Sequence, residues 1–315
     1  MLDAVYQDAR KILAKYLPPT RLVSAQSLRK FPVQNVSLKL ESELLTGSFK
    51  VRGAIYALNL HEQAGGAREV VASSTGNHGA AVAYAAKLLG WKARVFLPEK
   101  NNPVKRANIA RLGAEIVEKG TRDLAGAFSA ASRYAAEAGA FLLNDATDPD
   151  LPAGPASIAC EIFEQQPQTE AIYVPMGDSA LIRGVAAAAK QISGTVKIVG
   201  VQAERAPSYF LSWKEGRAIA TETCDTIADG LATRTPDARN VEAIRKLVDE
   251  VMLVGEDEML AAIAKLLLQE HIVAEPAGAA ATAAFLKSRE SARHAVLLVT
   301  GANISREVLT KAVAS

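Results

Sequence analysis

Cysteine is nearly missing from this sequence. Cys160 and Cys224 are its two thiols, far apart in a chain of 315 residues. No disulfide-stapled fold is expected from so few, and a reducing, cytoplasmic setting suits them. Long apolar runs are missing too. No segment reaches about 18 residues without a charge, so no bilayer-spanning helix is expected. The opening Met1-Leu2-Asp3-Ala4-Val5-Tyr6 lacks the basic start and apolar stretch of a signal peptide. Charge of one sign is not in excess: 36 Lys and Arg face 34 Asp and Glu, a net charge of +2, with no basic block. Neither nucleic acid nor an anionic membrane surface is therefore expected as a partner.

The residues present suit a globular α/β protein. Hydrophobic residues make up 49% of the chain, enough for one large core or two smaller ones. Short, almost wholly apolar runs read as strands at 36–40, 69–72, 93–97, 115–117, 140–143, 171–174, 197–201, 251–254 and 294–299. Between them lie stretches with helical spacing, including 78–89, 121–138, 181–191 and 257–269. Strand–helix alternation on this scale predicts parallel sheets with helices on both faces. The turn-rich stretch 145–155 is the best candidate for a boundary between two lobes.

Four segments carry chemistry. Lys50 follows Thr46-Gly47-Ser48-Phe49, a turn and cap signal, and opens a helix-compatible run. A lysine held at such a turn is expected to be desolvated, with a depressed pKa that makes it an amine nucleophile; the bland alternative is a solvated charge. Ser73-Ser74-Thr75-Gly76-Asn77-His78-Gly79 follows an apolar strand and opens a helix. There, hydroxyls and free backbone N–H groups can hold a carboxylate; the alternative is an ordinary helix cap. Gly177-Asp178-Ser179-Ala180-Leu181 again lies between strand and helix, as a phosphate loop would, or as a plain turn would. Thr300-Gly301-Ala302-Asn303 puts a hydroxyl at the end of a buried strand, where it can meet a ring nitrogen or simply end the strand. The four in this order say more than any one alone.

These motifs resemble those of the fold-type-II pyridoxal 5'-phosphate enzymes, a two-domain α/β architecture like the tryptophan synthase β subunit. The likeness is to the threonine/serine dehydratase and serine racemase group. It includes Ser48-Phe49-Lys50-Val51-Arg52-Gly53-Ala54, Leu112-Gly113-Ala114, Ala206-Pro207-Ser208, Thr226-Ile227-Ala228-Asp229-Gly230 and Glu275-Pro276-Ala277-Gly278. The resemblance implies that Lys50 carries pyridoxal phosphate as an imine, with Phe49 beside the ring and Asn77 on its 3-hydroxyl. It implies that Gly177, Asp178, Ser179, Ala180 and Leu181 form the phosphate site, that Thr300 faces the ring nitrogen, and that Glu275 lies near the ring. Ser74, Thr75, Asn77 and His78 would hold the carboxylate of an amino-acid substrate. The implied organisation is a large domain from residues 1–65 and 149–315, a small mobile domain at 66–148 inserted in it, and a homodimer.

Departures from the group matter as well. Its phosphate loop is a run of glycines, whereas Asp178 here brings a carboxylate that a phosphate repels. Where some members supply carboxylates to a divalent metal, this chain has Gln202 and Ser208, so no magnesium or manganese is expected there, and a monovalent ion stays open. The reaction implied is loss of water from a β-hydroxy amino acid (L-threonine, L-serine or a bulkier analogue), ending in a 2-oxo acid and ammonia. Lys50 and Thr75 are the expected catalytic groups. Three alternatives stay open: a racemase using Thr75 on the opposite face, a β-replacement synthase, against which His78 argues, and a non-catalytic cofactor-binding protein.

Overall fold

In the computed structural model, strands and helices alternate through all residues except 1, 32, 33, 75, 100, 102, 119, 121, 122, 290, 291 and 315, which are not described. The strands among the described residues are β1 (Leu22–Ser24), β2 (Asn35–Leu40), β3 (Glu69–Ser73), β4 (Lys92–Phe96), β5 (Glu115–Val117), β6 (Phe141–Leu142), β7 (Ala171–Pro175), β8 (Lys197–Ala203), β9 (Glu250–Val254) and β10 (His294–Val299). The helices are α1 (Leu2–Leu13), α2 (Lys50–Gln63), α3 (Asn77–Leu89), α4 (Pro103–Arg111), α5 (Leu124–Ala138), α6 (Ala153–Gln165), α7 (Ala180–Ile192), α8 (Ser208–Glu215), α9 (Ala238–Leu247), α10 (Glu256–Glu270), α11 (Pro276–Lys287) and α12 (Arg306–Ala314).

Six strands form one sheet in the order β1-β2-β10-β7-β8-β9, and four form another in the order β5-β4-β3-β6. Every pairing is parallel except that of β1 with β2. The nine strands expected from apolar runs are all present, with ends displaced by no more than two residues. The expected helix at 121–138 begins at Leu124 behind the cap Asp123, whose carboxylate accepts from the Gly126 N–H; residues 121 and 122 lie outside the described part.

The apolar runs are explained by covering on both faces. Along β7 and β10, side chains alternate between two cores: Ile172, Val174, Val296 and Leu298 enter one, and Tyr173, Leu297 and Val299 the other. Parallel pairing also places the site. Leu40 at the end of β2 stands beside Val299 at the end of β10, and β7 flanks β10 on its other side. The loops carrying Lys50, Thr300 and Gly177 therefore leave one edge of one sheet, where ligands sit in open parallel sheets. Gly278 lets α11 reach that edge, since a Cβ there would lie 2.3 Å from the Gly301 carbonyl.

Candidate active site

Backbone hydrogen bonds stitch the loop after β2 to the end of β10. The Phe49 N–H donates to the Thr300 carbonyl at 3.1 Å and the Ala302 N–H to that of Gly47 at 2.9 Å. The first turn of α2 is fixed from below by Arg52, 1% exposed, whose guanidinium bonds the carboxylates of Glu41 (2.7 and 2.8 Å) and Glu161 (2.6 and 3.0 Å). Lys39 adds a second buried cation, 2.7 Å from Glu161. Burial alone would lower the Arg52 pKa, but these two acids raise it above the usual arginine value. Lys50 thus projects from a rigid mount.

Its amine meets an acid that sequence reasoning passed over. Lys50 Nζ donates to Asp145 Oδ2 at 2.6 Å, and Asp145 comes from the loop beyond β6 in the other sheet. This corrects the expected depressed pKa. Burial lowers the amine's pKa, but the charges of Asp145, Asp178 and Asp229 outweigh it and raise the value above that of an ordinary lysine. Asp145 is correspondingly held low: burial would raise it, but the Lys50 and His78 charges prevail. Asp178 moves the other way, pushed up by burial and by the nearby Asp145 charge, while its Oδ1 accepts from the Thr233 hydroxyl at 3.1 Å.

Lys50 opens onto a cavity that Phe49, Asn77, Glu275 and Thr300 line, together with Gly177, Asp178, Ser179, Ala180 and Leu181. All the residues expected at the cofactor therefore come together. Ser74, Asn77 and His78 line an adjoining cavity that shares Lys50, Asp145 and Asp178 with the first. Thr75 lies outside the described residues. Asn77 is locked in orientation: its Nδ2 donates to Glu275 Oε1, and its Oδ1 accepts from Asn303 Nδ2 at 2.8 Å. His78 Nε2–H donates to the Leu143 carbonyl at 2.9 Å, and Lys105, 5% exposed, pairs with Asp229 and Glu275.

These residues suit pyridoxal phosphate. No side chain caps the start of α7, so its first N–H groups are free to face an anion. Gly177 presses against the Gly230 carbonyl, where a Cβ would lie 2.1 Å away. Ser179 takes the left-handed conformation, φ 77°, at a position glycine would fill without strain. Its hydroxyl accepts from Arg183 Nε at 3.1 Å, a second residue not foreseen, which adds positive charge behind the cradle. Thr300 lines the same cavity, its hydroxyl donating to the Ala277 carbonyl at 3.4 Å, and it would be a neutral partner for a ring nitrogen, while Lys50 would supply the amine.

A family model described as pyridoxal-phosphate dependent enzyme matches residues 13–301. The chain belongs to this family. The protein is a pyridoxal-phosphate enzyme with the α/β fold expected of it. It is 34% identical over 306 residues to an L-threonine ammonia-lyase of Thermotoga maritima, covering 97% of this chain and 76% of that relative. Its fold is similar to that of maize serine racemase, with a TM-score of 0.92, 28% identity and coverage of 98% of this chain and 95% of the other. It is also similar to the processed form of threonine deaminase isoform 2 from Solanum lycopersicum, with a TM-score of 0.90, 28% identity and coverage of 98% and 87%. The positions raised for a divalent metal carry an amide and a hydroxyl, and the amide nitrogen of Gln202 is buried without a partner. Gln202 accepts from the Phe210 N–H at 2.9 Å, and the Ser208 hydroxyl donates to the Thr233 carbonyl at 2.6 Å.

Proposed function

We propose that the enzyme is an ammonia-lyase that removes water from a β-hydroxy amino acid such as L-threonine, L-serine or a bulkier analogue, yielding a 2-oxo acid and ammonia. One observation carries this reading: the Lys50 amine stands where the two cavities meet, between the phosphate and ring residues and the carboxylate loop. Bound pyridoxal phosphate withdraws electrons and makes the Cα–H bond of an amino acid acidic. Lys50 then serves as the base for that proton. Ser74, Asn77 and His78, with the N–H groups opening α3, hold the substrate carboxylate, a role that the resemblance also gives to Thr75. Thr300, a hydroxyl rather than a carboxylate, does not keep the ring nitrogen protonated. That limits charge storage and favours prompt expulsion of the β-hydroxyl.

The reading includes two lobes. Residues 1–65 and 149–315 make the larger, and 66–148, which supply all of the four-stranded sheet, make the smaller. Pairing of Lys105 from α4 with Asp229 and Glu275 supports closure of one lobe on the other. It also includes a homodimer, as the group resemblance implies, and a cytoplasmic setting that suits the free thiols of Cys160 and Cys224. Among the described residues, no helix is long and apolar enough to cross a membrane.

A panel of β-hydroxy amino acids scored for 2-oxo acid release tests the reaction. Release from at least one member is expected. Formation of D-serine from L-serine without 2-oxo acid would make the protein a racemase instead.

A further inference from the structure

We propose that the substrate this site selects is a β-hydroxy amino acid bearing an ammonium group beyond its β-carbon, and that Asp145 and Asp178 select it. The inference rests on the β-elimination reading above and narrows its substrate class.

One of the two carboxylates already shows what it binds. Asp145 holds an alkylammonium, that of Lys50, at 2.6 Å, and both acids line the two cavities that meet at this amine. Among the described residues, neither acid is paired with any other lysine or arginine. Lys105 also lines the second cavity, but it is engaged by Asp229 and Glu275. To act as a base, Lys50 must be unprotonated and free to reach Cα, which takes from Asp145 the cation it holds here. Two half-buried acids lining one cavity without a cation are costly, and a phosphate nearby adds to the negative potential. A substrate cation restores the balance.

A separate observation points the same way. His78 is 2% exposed, and its Nδ1 is a buried nitrogen with no hydrogen-bond partner, 4.0 Å from Asp145 Oδ2. Because Nε2–H is spent on the Leu143 carbonyl, Nδ1 is the ring nitrogen left for a ligand. An ammonium, with three donors, can meet Asp145, Asp178 and this nitrogen where it carries a lone pair. A second carboxylate on the substrate would be repelled, and a phenyl group would bury the acids unpaired.

The elimination is unchanged by the added charge. Lys50 takes the proton from Cα, the Cα–Cβ double bond forms, and the Cβ–O electron pair leaves with the hydroxyl, which takes up the proton that Lys50 removed and departs as water. The released enamine shifts to an imine, adds water and loses ammonia, while the distal ammonium stays on the product. For 4-aminothreonine the products are 4-amino-2-oxobutanoate and ammonia.

The test compares the holoenzyme on L-threonine, 4-aminothreonine and 3-hydroxyaspartate, which share the reacting centre and differ in charge. The cationic substrate is expected to exceed threonine in kcat/KM by at least about tenfold, as one charge-assisted hydrogen bond allows, with 3-hydroxyaspartate last. Calorimetry adds a readout without turnover: 2,4-diaminobutanoate, which has no leaving group, should bind more tightly than 2-aminobutanoate by a similar factor. Both ratios should fall toward one in Asp145→Asn and Asp178→Asn. Equal handling of neutral and cationic ligands by the unaltered enzyme overturns the inference while leaving β-elimination intact. If no β-hydroxy amino acid releases a 2-oxo acid, the elimination reading fails, and calorimetry alone then decides whether the acids select a cation.

Discussion

Lys50 Nζ and Asp145 Oδ2 lie 2.6 Å apart although 95 residues separate them in the chain. One stands at the start of α2, the other beyond β6 in the second sheet, so their ion pair spans the two sheets. It fixes the protonation of the amine and ties together the elements between which a substrate must enter.

Replacing Asp145 by Asn should destabilise the cofactor-free protein in a pH-dependent way. Lys50 has a raised pKa in the folded state, so its contribution is complete below about pH 10.5 and is lost as pH rises through the folded value. Asp145 has a lowered pKa, so its contribution is present above about pH 3.8 and is lost as pH falls through the folded value. Melting curves should therefore show the variant lower by a few degrees across neutral pH, as a change on the order of 1 kcal/mol gives. The gap should close in strong alkali; a gap that widens there would mean the pair is not ionised as described.

Arg52→Ala should cost about 3–5 kcal/mol, because it leaves Glu41 and Glu161 buried beside one remaining cation. Urea denaturation measures this. Cofactor retention should fall with it, since α2 and Lys50 lose their mount. A loss below about 1 kcal/mol would show that the network is not rigid.

Asp178→Gly should bind pyridoxal phosphate more tightly, on the order of tenfold, by removing a carboxylate from the phosphate loop. Equilibrium dialysis against the free cofactor reads this directly. Weaker binding would show that Asp178 supports the loop through its bond to Thr233.

Prolonged dialysis against a chelator should leave activity within about twofold, because Gln202 and Ser208 are a poor ligand set for a divalent ion. A steep loss restored by magnesium or manganese would contradict that expectation.

Much of the architecture was legible because β7 and β10 are covered on both faces and read as unbroken apolar runs. The three-residue β1 was missed: at the sheet edge, Leu22–Ser24 is too short for an alternation to show. Lys50, Asn77, the 177–181 loop and Thr300 were legible because each follows a strand, where parallel topology gathers loops. Asp145 was not. In the turn-rich stretch 145–155 an acid reads as solvated, and its partner sits on another sheet. Lys105 was hidden for the same reason, within a polar helix that reveals nothing of Asp229 and Glu275. The direction of the Lys50 pKa was misjudged because burial is readable locally, whereas the three opposing carboxylates come from distant segments.

The decisive measurement is borohydride reduction of the protein saturated with pyridoxal phosphate, followed by peptide mass spectrometry. The expected result is one reduced pyridoxyl adduct on Lys50, with the imine absorbance lost and both signals absent in Lys50→Ala. An unmodified Lys50, or an adduct at another lysine with undiminished turnover by Lys50→Ala, would contradict the assignment.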